Sequence, residues 1–242
     1  MDKKTIVVVG AGQGLGNHVA KKFGREGFRV VLMARNGESL KTYQREFAGE
    51  GIETFVHEAD AERTETLDSA FAWMKRQFGT TDVLVYNVGI TAADEPDKMT
   101  SAELMRHYQT DVASAWHCAR LVADEDFSKK LGVIFFTGGG LATHPLATFT
   151  PLSVEKAALR ALACLLHDEL KPKGIYVGTV TVCSTIGTDT HFAPARMAET
   201  YWQMYNERDA WEVRYEYPEL QGSDLSAQDY WTKAYELAKK YK

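Results

Sequence analysis

A chain of 242 residues, 45% hydrophobic and 25% charged, is long enough to bury one sizeable core, and no linker or low-complexity tract divides it. Its formal net charge of -5 argues against a polyanionic partner, so no nucleic-acid binding is expected. No apolar stretch nears membrane-spanning length, and the run after Lys3 and Lys4 stops at Gly10, too short for a secretory signal; a cytoplasmic location without a membrane partner is expected.

Thr5–Val9 is a β-branched run suited to a strand buried on both faces. It enters Gly10-Ala11-Gly12-Gln13-Gly14-Leu15-Gly16, and a helix follows over 17–25. The G-x-G-x-x-G fingerprint fails here because its last position falls on Leu15, whereas G-x-x-x-G-x-G fits through Gly10, Gly14 and Gly16. Glycines let a backbone approach a pyrophosphate, and a helix start offers unpaired N–H groups and a positive dipole end. The second strand, Arg29–Ala34, ends at Arg35-Asn36, where an acidic side chain would hold a ribose 2′-hydroxyl. Arginine suits a 2′-phosphate instead, through charge-assisted paired bonds. NADP is therefore the favoured cofactor, with NAD as the alternative.

Leu40, Tyr43 and Phe47 set the spacing of a helix over 38–49, and a third strand over 54–59 ends at Asp60. The amphipathic helix Thr64–Phe78 precedes a strand over 82–86 that ends in Asn87-Val88-Gly89. A long helix over 101–123, with Thr100 or Ser101 as N-cap, leads to a strand over 132–137 and then to Gly138-Gly139-Gly140. A loop with Pro145 and Pro151 comes before a helix over 153–170, a strand over 175–182 and a helix over 195–208. Residues 211–217 alternate apolar and charged side chains, as a half-exposed edge strand does, and a polar helix over 226–240 follows.

Short apolar strands alternating with helices predict an α/β fold: a single Rossmann-type, doubly wound parallel sheet of about seven strands with helices on both faces. The dinucleotide-binding domain is assigned to 1–218, with 219–242 a C-terminal helical extension of the same domain. Cys118, Cys164 and Cys183 lack C-x-x-C spacing and read as buried thiols, and the seven histidines show no metal-ligand spacing, so no metal is assigned.

Over residues 5–217 the sequence resembles the short-chain dehydrogenase/reductase superfamily. The glycine turn Gly10–Gly16 is similar to its cofactor motif, Asp60, with Ala61 beside it, to its adenine-contacting aspartate, and Asn87-Val88-Gly89 to the end of its N-N-A-G stretch. Ile186 and Thr188 resemble the I-x-T pair that touches the nicotinamide carboxamide, although Val182-Cys183 replaces the usual Pro-Gly. The resemblance breaks at the catalytic set. Aligned on Lys156, the tyrosine position holds Leu152, the serine position falls on Gly139 and the asparagine position on Asp111, so Lys156 alone survives of four.

The resemblance implies that Lys156 reaches the nicotinamide ribose hydroxyls. A leucine cannot donate the proton that carbonyl reduction needs, a contribution of typically ~10²–10⁴-fold. Backbone N–H groups of Gly138–Gly140 are a partial substitute for the lost serine. His144, Thr148, Thr150, Ser153 and Asp111 are candidate replacement donors, with Ser153 also read as the cap of its helix. An Asp111–Lys156 ion pair is expected to keep Lys156 protonated and to favour ribose binding over proton relay. The loop 189–197 is read as pocket-forming. The function expected is an NAD(P)-dependent oxidoreductase acting on a small carbonyl or alcohol with a non-standard proton donor; the alternative is a catalytically silent dinucleotide sensor. The resemblance also implies a homodimer or larger homo-oligomer through helices 101–123 and 153–170.

Overall fold

Successive side chains along each strand enter two different apolar layers. In β1 (Thr5–Val9), Ile6 and Val8 join one buried cluster while Val7 and Val9 join the other across the sheet. The computed structural model describes residues 3–91, 93, 97–187 and 189–242. Six more strands follow: β2 (Arg29–Ala34), β3 (Thr54–Glu58), β4 (Val83–Tyr86), β5 (Val133–Gly139), β6 (Tyr176–Val182) and β7 (Glu212–Tyr215). All pair in parallel, in the order β3-β2-β1-β4-β5-β6-β7. A sheet covered on both faces demands continuous apolar runs, which is why TIVVV and VLVY do not alternate. The order reverses between β1 and β4, and that reversal opens a crevice at the carboxyl ends of the strands.

The helices are α1 (Leu15–Arg25), α2 (Gly37–Gly49), α3 (Thr64–Phe78), α4 (Ser101–Tyr108), α5 (Ser114–Val122), α6 (Glu125–Lys129), α7 (Thr150–Leu170), α8 (Pro194–Glu207) and α9 (Ala227–Lys240). One layer is filled by Phe23, Leu40, Tyr201 and Tyr230 from α1, α2, α8 and α9. The other takes Phe71, Cys118, Phe127 and Leu159 from α3, α5, α6 and α7. No helix among the described residues is long and apolar enough to cross a membrane.

Several elements depart from the sequence reading. The helix expected over 101–123 is interrupted: α4, closed at its start by a Thr100–Glu103 capping box, passes into a widened π turn at Gln109–Ala113 before α5 begins. Neighbours hold that turn open, since the Tyr86 hydroxyl donates to the Thr110 carbonyl and Ser114 Oγ donates to the Ala61 carbonyl. α7 begins at Thr150 with Pro151 in its first turn, so Ser153 is not its cap; Ser153 Oγ instead accepts from Leu146 N at 3.2 Å. The short α6 is unanticipated and is capped by Asp124, which accepts from Phe127 N. β7 is the half-buried edge strand expected from its alternation. In the C-terminal helix α9, Tyr230, Ala234 and Leu237 are buried in the main core, so this segment is structural rather than appended.

Candidate functional site

The glycine turn is fixed from both sides. Gly10 and Ala11 donate their N–H groups to the Met33 carbonyl at 2.9 and 3.1 Å, and Asn87 Nδ2 donates to the Gly10 carbonyl at 3.1 Å. Asn87 Oδ1 in turn accepts from Thr137 Oγ1 at 2.9 Å, tying the ends of β1, β4 and β5 together. Gly10 has φ +87°, and a Cβ there would lie 2.8 Å from the Asn87 carbonyl carbon, so only glycine fits. Gly16 packs against Asn87 as closely, whereas Gly12 and Gly14 face open space. Gln13 is exposed beside them. No side chain caps the start of α1 and its first turn holds no acid, an arrangement suited to a phosphate.

A crevice of about 320 Å³ beside this turn is lined by Arg35, Asn36, Asp60, Ala61, Asn87 and Gly89, among others. Asn36 Oδ1 accepts from Ser39 N and caps α2. Asp60 Oδ1 accepts from Glu62 N at 3.1 Å, which holds the carboxylate at the mouth. Arg35 is exposed and makes no ion pair within the described residues. An uncapped helix start, a glycine cradle and a lateral crevice ending at an arginine fit the phosphates and adenosine half of a dinucleotide.

A second cavity, about 580 Å³, opens on the other side of Asn87–Gly89. Its walls are largely apolar: Leu141, Phe149, Leu152, Val182, Ile186 and Trp231. Leu15 from the turn also reaches it. Among the described lining residues Lys156 is the one ionisable side chain. At Gly139 a Cβ would lie 3.2 Å from Lys156 Cγ, so the lysine stem occupies the flank of the expected serine position. Thr188 lies outside the described residues. The stretch 189–197 is not the wall it was expected to be: Phe192 and Met197 are buried in the core, and Ser184 to Ile186 face the cavity instead.

None of the other proposed proton donors lines this cavity. Ser153 is turned to Leu146, Thr150 Oγ1 donates to the Ala147 carbonyl, and Thr148 is exposed. His144 stacks on Tyr230 with ring centroids 3.9 Å apart, and burial, helped by the Arg214 charge, lowers its pKa below the ordinary histidine value. Asp111 lies behind Lys156. Lys156 Nζ donates to the Thr137 carbonyl at 3.2 Å and sits 3.8 Å from Asp111 Oδ2. Asp111 Oδ1 accepts from Ile90 N at 3.2 Å, and burial raises the Asp111 pKa despite the opposing Lys156 charge.

The model of the short chain dehydrogenase family matches residues 4–198. The chain belongs to this family. Among relatives, it is 28% identical over 182 residues to an uncharacterized oxidoreductase, YvrD, of Bacillus subtilis, covering 74% of this chain and 68% of that protein. It is also 28% identical over 179 residues to a 3beta-hydroxysteroid dehydrogenase of Eggerthella lenta, covering 73% and 69%. A metagenomic short-chain oxidoreductase solved in complex with NADP superposes with TM-score 0.79 at 25% identity, over 88% of this chain and 98% of that one. The fold is thus the Rossmann-like α/β sheet of this oxidoreductase family.

Three further residues shape the site, and two of them, Glu155 and His107, have no counterpart in the sequence reading. Trp231 crosses from α9 to the cavity, where its Nε1 donates to the His144 carbonyl at 2.7 Å; nothing local distinguishes it from a core aromatic. Glu155 is completely buried beside Asp111. His107 places Nδ1 3.4 Å from Glu155 Oε1. The sequence carries a signal for Glu155, a charge on the face of α7 that also bears Leu152 and Leu159.

Proposed function

We propose that this chain is an NADP(H)-dependent oxidoreductase that reduces a carbonyl on a small, predominantly apolar substrate, with Lys156 as the proton donor. The observation that carries this reading is the position of Lys156 as the one ionisable side chain among the described residues of an apolar cavity adjoining the dinucleotide crevice. A bound nicotinamide supplies hydride to the carbonyl carbon. The chain supplies the rest: Phe149, Leu152 and Trp231 exclude water, the Gly138–Gly140 backbone lines the oxygen side, and the Lys156 ammonium gives its proton to the developing alkoxide. NADP is preferred to NAD because Arg35, unpaired within the described residues, offers a fork to a 2′-phosphate. Exposed Met105, Trp116 and Leu165 on α4, α5 and α7 support pairing of two copies through those helices.

The test is a fluorescence titration with NADPH and NADH, then turnover of NADPH against apolar aldehydes, ketones and quinones. Tight NADPH binding with turnover that collapses in Lys156→Met is expected. NADH binding as well as NADPH would remove the role given to Arg35, and NADPH binding with no turnover on any carbonyl would leave a dinucleotide sensor.

A further inference from the structure

Beneath the cavity floor lies a cluster that carbonyl reduction as outlined above does not use. Asp111 and Glu155 both have 0% exposure and their carboxyl groups lie beside each other. Two neighbouring carboxylates cut off from water repel each other, which favours a proton on one of them. With both ionised, Asp111 Oδ2 is left without a hydrogen-bond partner in a site with no water access, and Lys156, Asp111 and Glu155 together would bury a net negative charge. One proton shared by the pair satisfies the oxygen and makes the trio neutral.

The cluster has two ends. On the cavity side it meets Lys156, whose Nζ is 3.8 Å from Asp111 Oδ2, a gap that a small rotation of the lysine stem closes. On the other side His107 lies 3.4 Å from Glu155 Oε1 with its side chain 13% exposed, so the imidazole bridges the buried pair and solvent. The titratable groups facing the pair are His107 from α4, Lys156 from α7 and the Tyr86 hydroxyl from β4, and the last is committed to the Thr110 carbonyl. The π turn is what aims Asp111 inward at this point.

We infer that Asp111 and Glu155 form a proton store that recharges Lys156 and is refilled from solvent through His107. This rests on the carbonyl-reducing reading. When the Lys156 Nζ–H bond breaks, the substrate oxygen takes the proton and the amine is left with its lone pair. The amine then takes the proton held between Asp111 and Glu155, the carboxyl pair takes one from the His107 imidazolium, and the imidazole takes one from water. One proton is consumed per turnover, and the electron pair that reduces the substrate is the hydride's, so the relay moves protons alone. Glu155 acts through Asp111 and Lys156 and is a positioning and relay residue.

Infrared spectroscopy on the full chain at neutral pH, in H₂O and D₂O, reads the store without any substrate. A protonated-carboxyl C=O band that shifts in D₂O and vanishes in Glu155→Gln and in Asp111→Asn is expected; a wild-type spectrum without such a band overturns the inference. Glu155→Gln keeps a donor to Asp111 but has no transferable proton, so its kcat should fall at least about tenfold, as far as that of Glu155→Ala, with NADPH affinity unchanged. His107→Gln should slow turnover and regain it on addition of free imidazole. A Glu155→Gln enzyme with wild-type kcat would mean that the residue is merely structural and sinks the relay. If Glu155→Gln fails to fold, Asp111→Asn supplies the spectrum. A wild-type chain that binds no NADPH defeats the proposed function, and the infrared band then decides the proton store by itself.

Discussion

On one side of the β1–β4 switch point the crevice begins at a turn of backbone and short side chains and runs out to Arg35. Gly10, Gly16 and Asn87 fit against one another so closely that added atoms have nowhere to go. On the other side the cavity is made of bulky apolar groups, Phe149, Leu152 and Trp231, around a single ammonium. At Gly10 and Gly16 the first region leaves no room for substitution because steric contact defines them. The second carries Gly139 and Leu152, neither with a hydroxyl, beside Lys156. Under the proposed function, cofactor binding and proton chemistry are separable in this fold: one rests on backbone shape, the other on a few side-chain tips.

The sharpest way to break the first region is Gly10→Val. A β-branched residue at φ +87° with a Cβ 2.8 Å from the Asn87 backbone should abolish measurable NADPH binding and lower stability by about 1–3 kcal/mol from strain alone, as read by fluorescence titration and thermal melting. The complementary change in the second region is Leu152→Tyr, which returns a hydroxyl acid beside Lys156. It should raise kcat for carbonyl substrates by about 10²-fold while NADPH affinity holds; no gain would mean that the cavity does not place a carbonyl near residue 152. Next in size, Arg35→Ala should weaken NADPH by about 10-fold or somewhat more, the value of a charge-assisted bond, and leave NADH unchanged in parallel titrations.

The smallest effect concerns the rim. Burial and Arg214 lower the His144 pKa from the ordinary 6.5, so the folded protein favours the neutral ring. The stability this gives is full above that value and is lost as pH falls through the lowered one. Melting temperature should thus drop on acidification from about pH 7 to about pH 5, and drop less in His144→Phe, which keeps the stack on Tyr230. Equal slopes in the two proteins would place the acid sensitivity elsewhere.

The sheet was legible in the sequence because its strands are local runs whose composition reports burial on both faces, and because Gly10–Gly16 announces the first turn. Glycine spacing and strand ends are one-dimensional features. The cavity is different in kind: Lys156, Leu152, Ile186 and Trp231 come from three distant stretches and meet through the docking of α9. The π turn was invisible for a related reason. Nothing in Gln109–Ala113 breaks a helix by propensity; the Tyr86 hydroxyl and the Ala61 carbonyl, both remote in sequence, engage it. Ser153 misled because a serine near a helix start is a good local cap, while the actual start is set three residues earlier by the turn around Pro151.

The position of Trp231 bears on how the protein comes into being at the ribosome. Residues of β1–β4 and the glycine turn emerge early and can fold as a unit, whereas the residue that seals the cavity emerges after all seven strands have been made. A nascent chain stalled before α9 would present the dinucleotide crevice beside an open apolar hollow, normally covered by Tyr230 and Trp231. Such a chain would offer chaperones an exposed apolar surface that the finished protein keeps as an enclosed cavity.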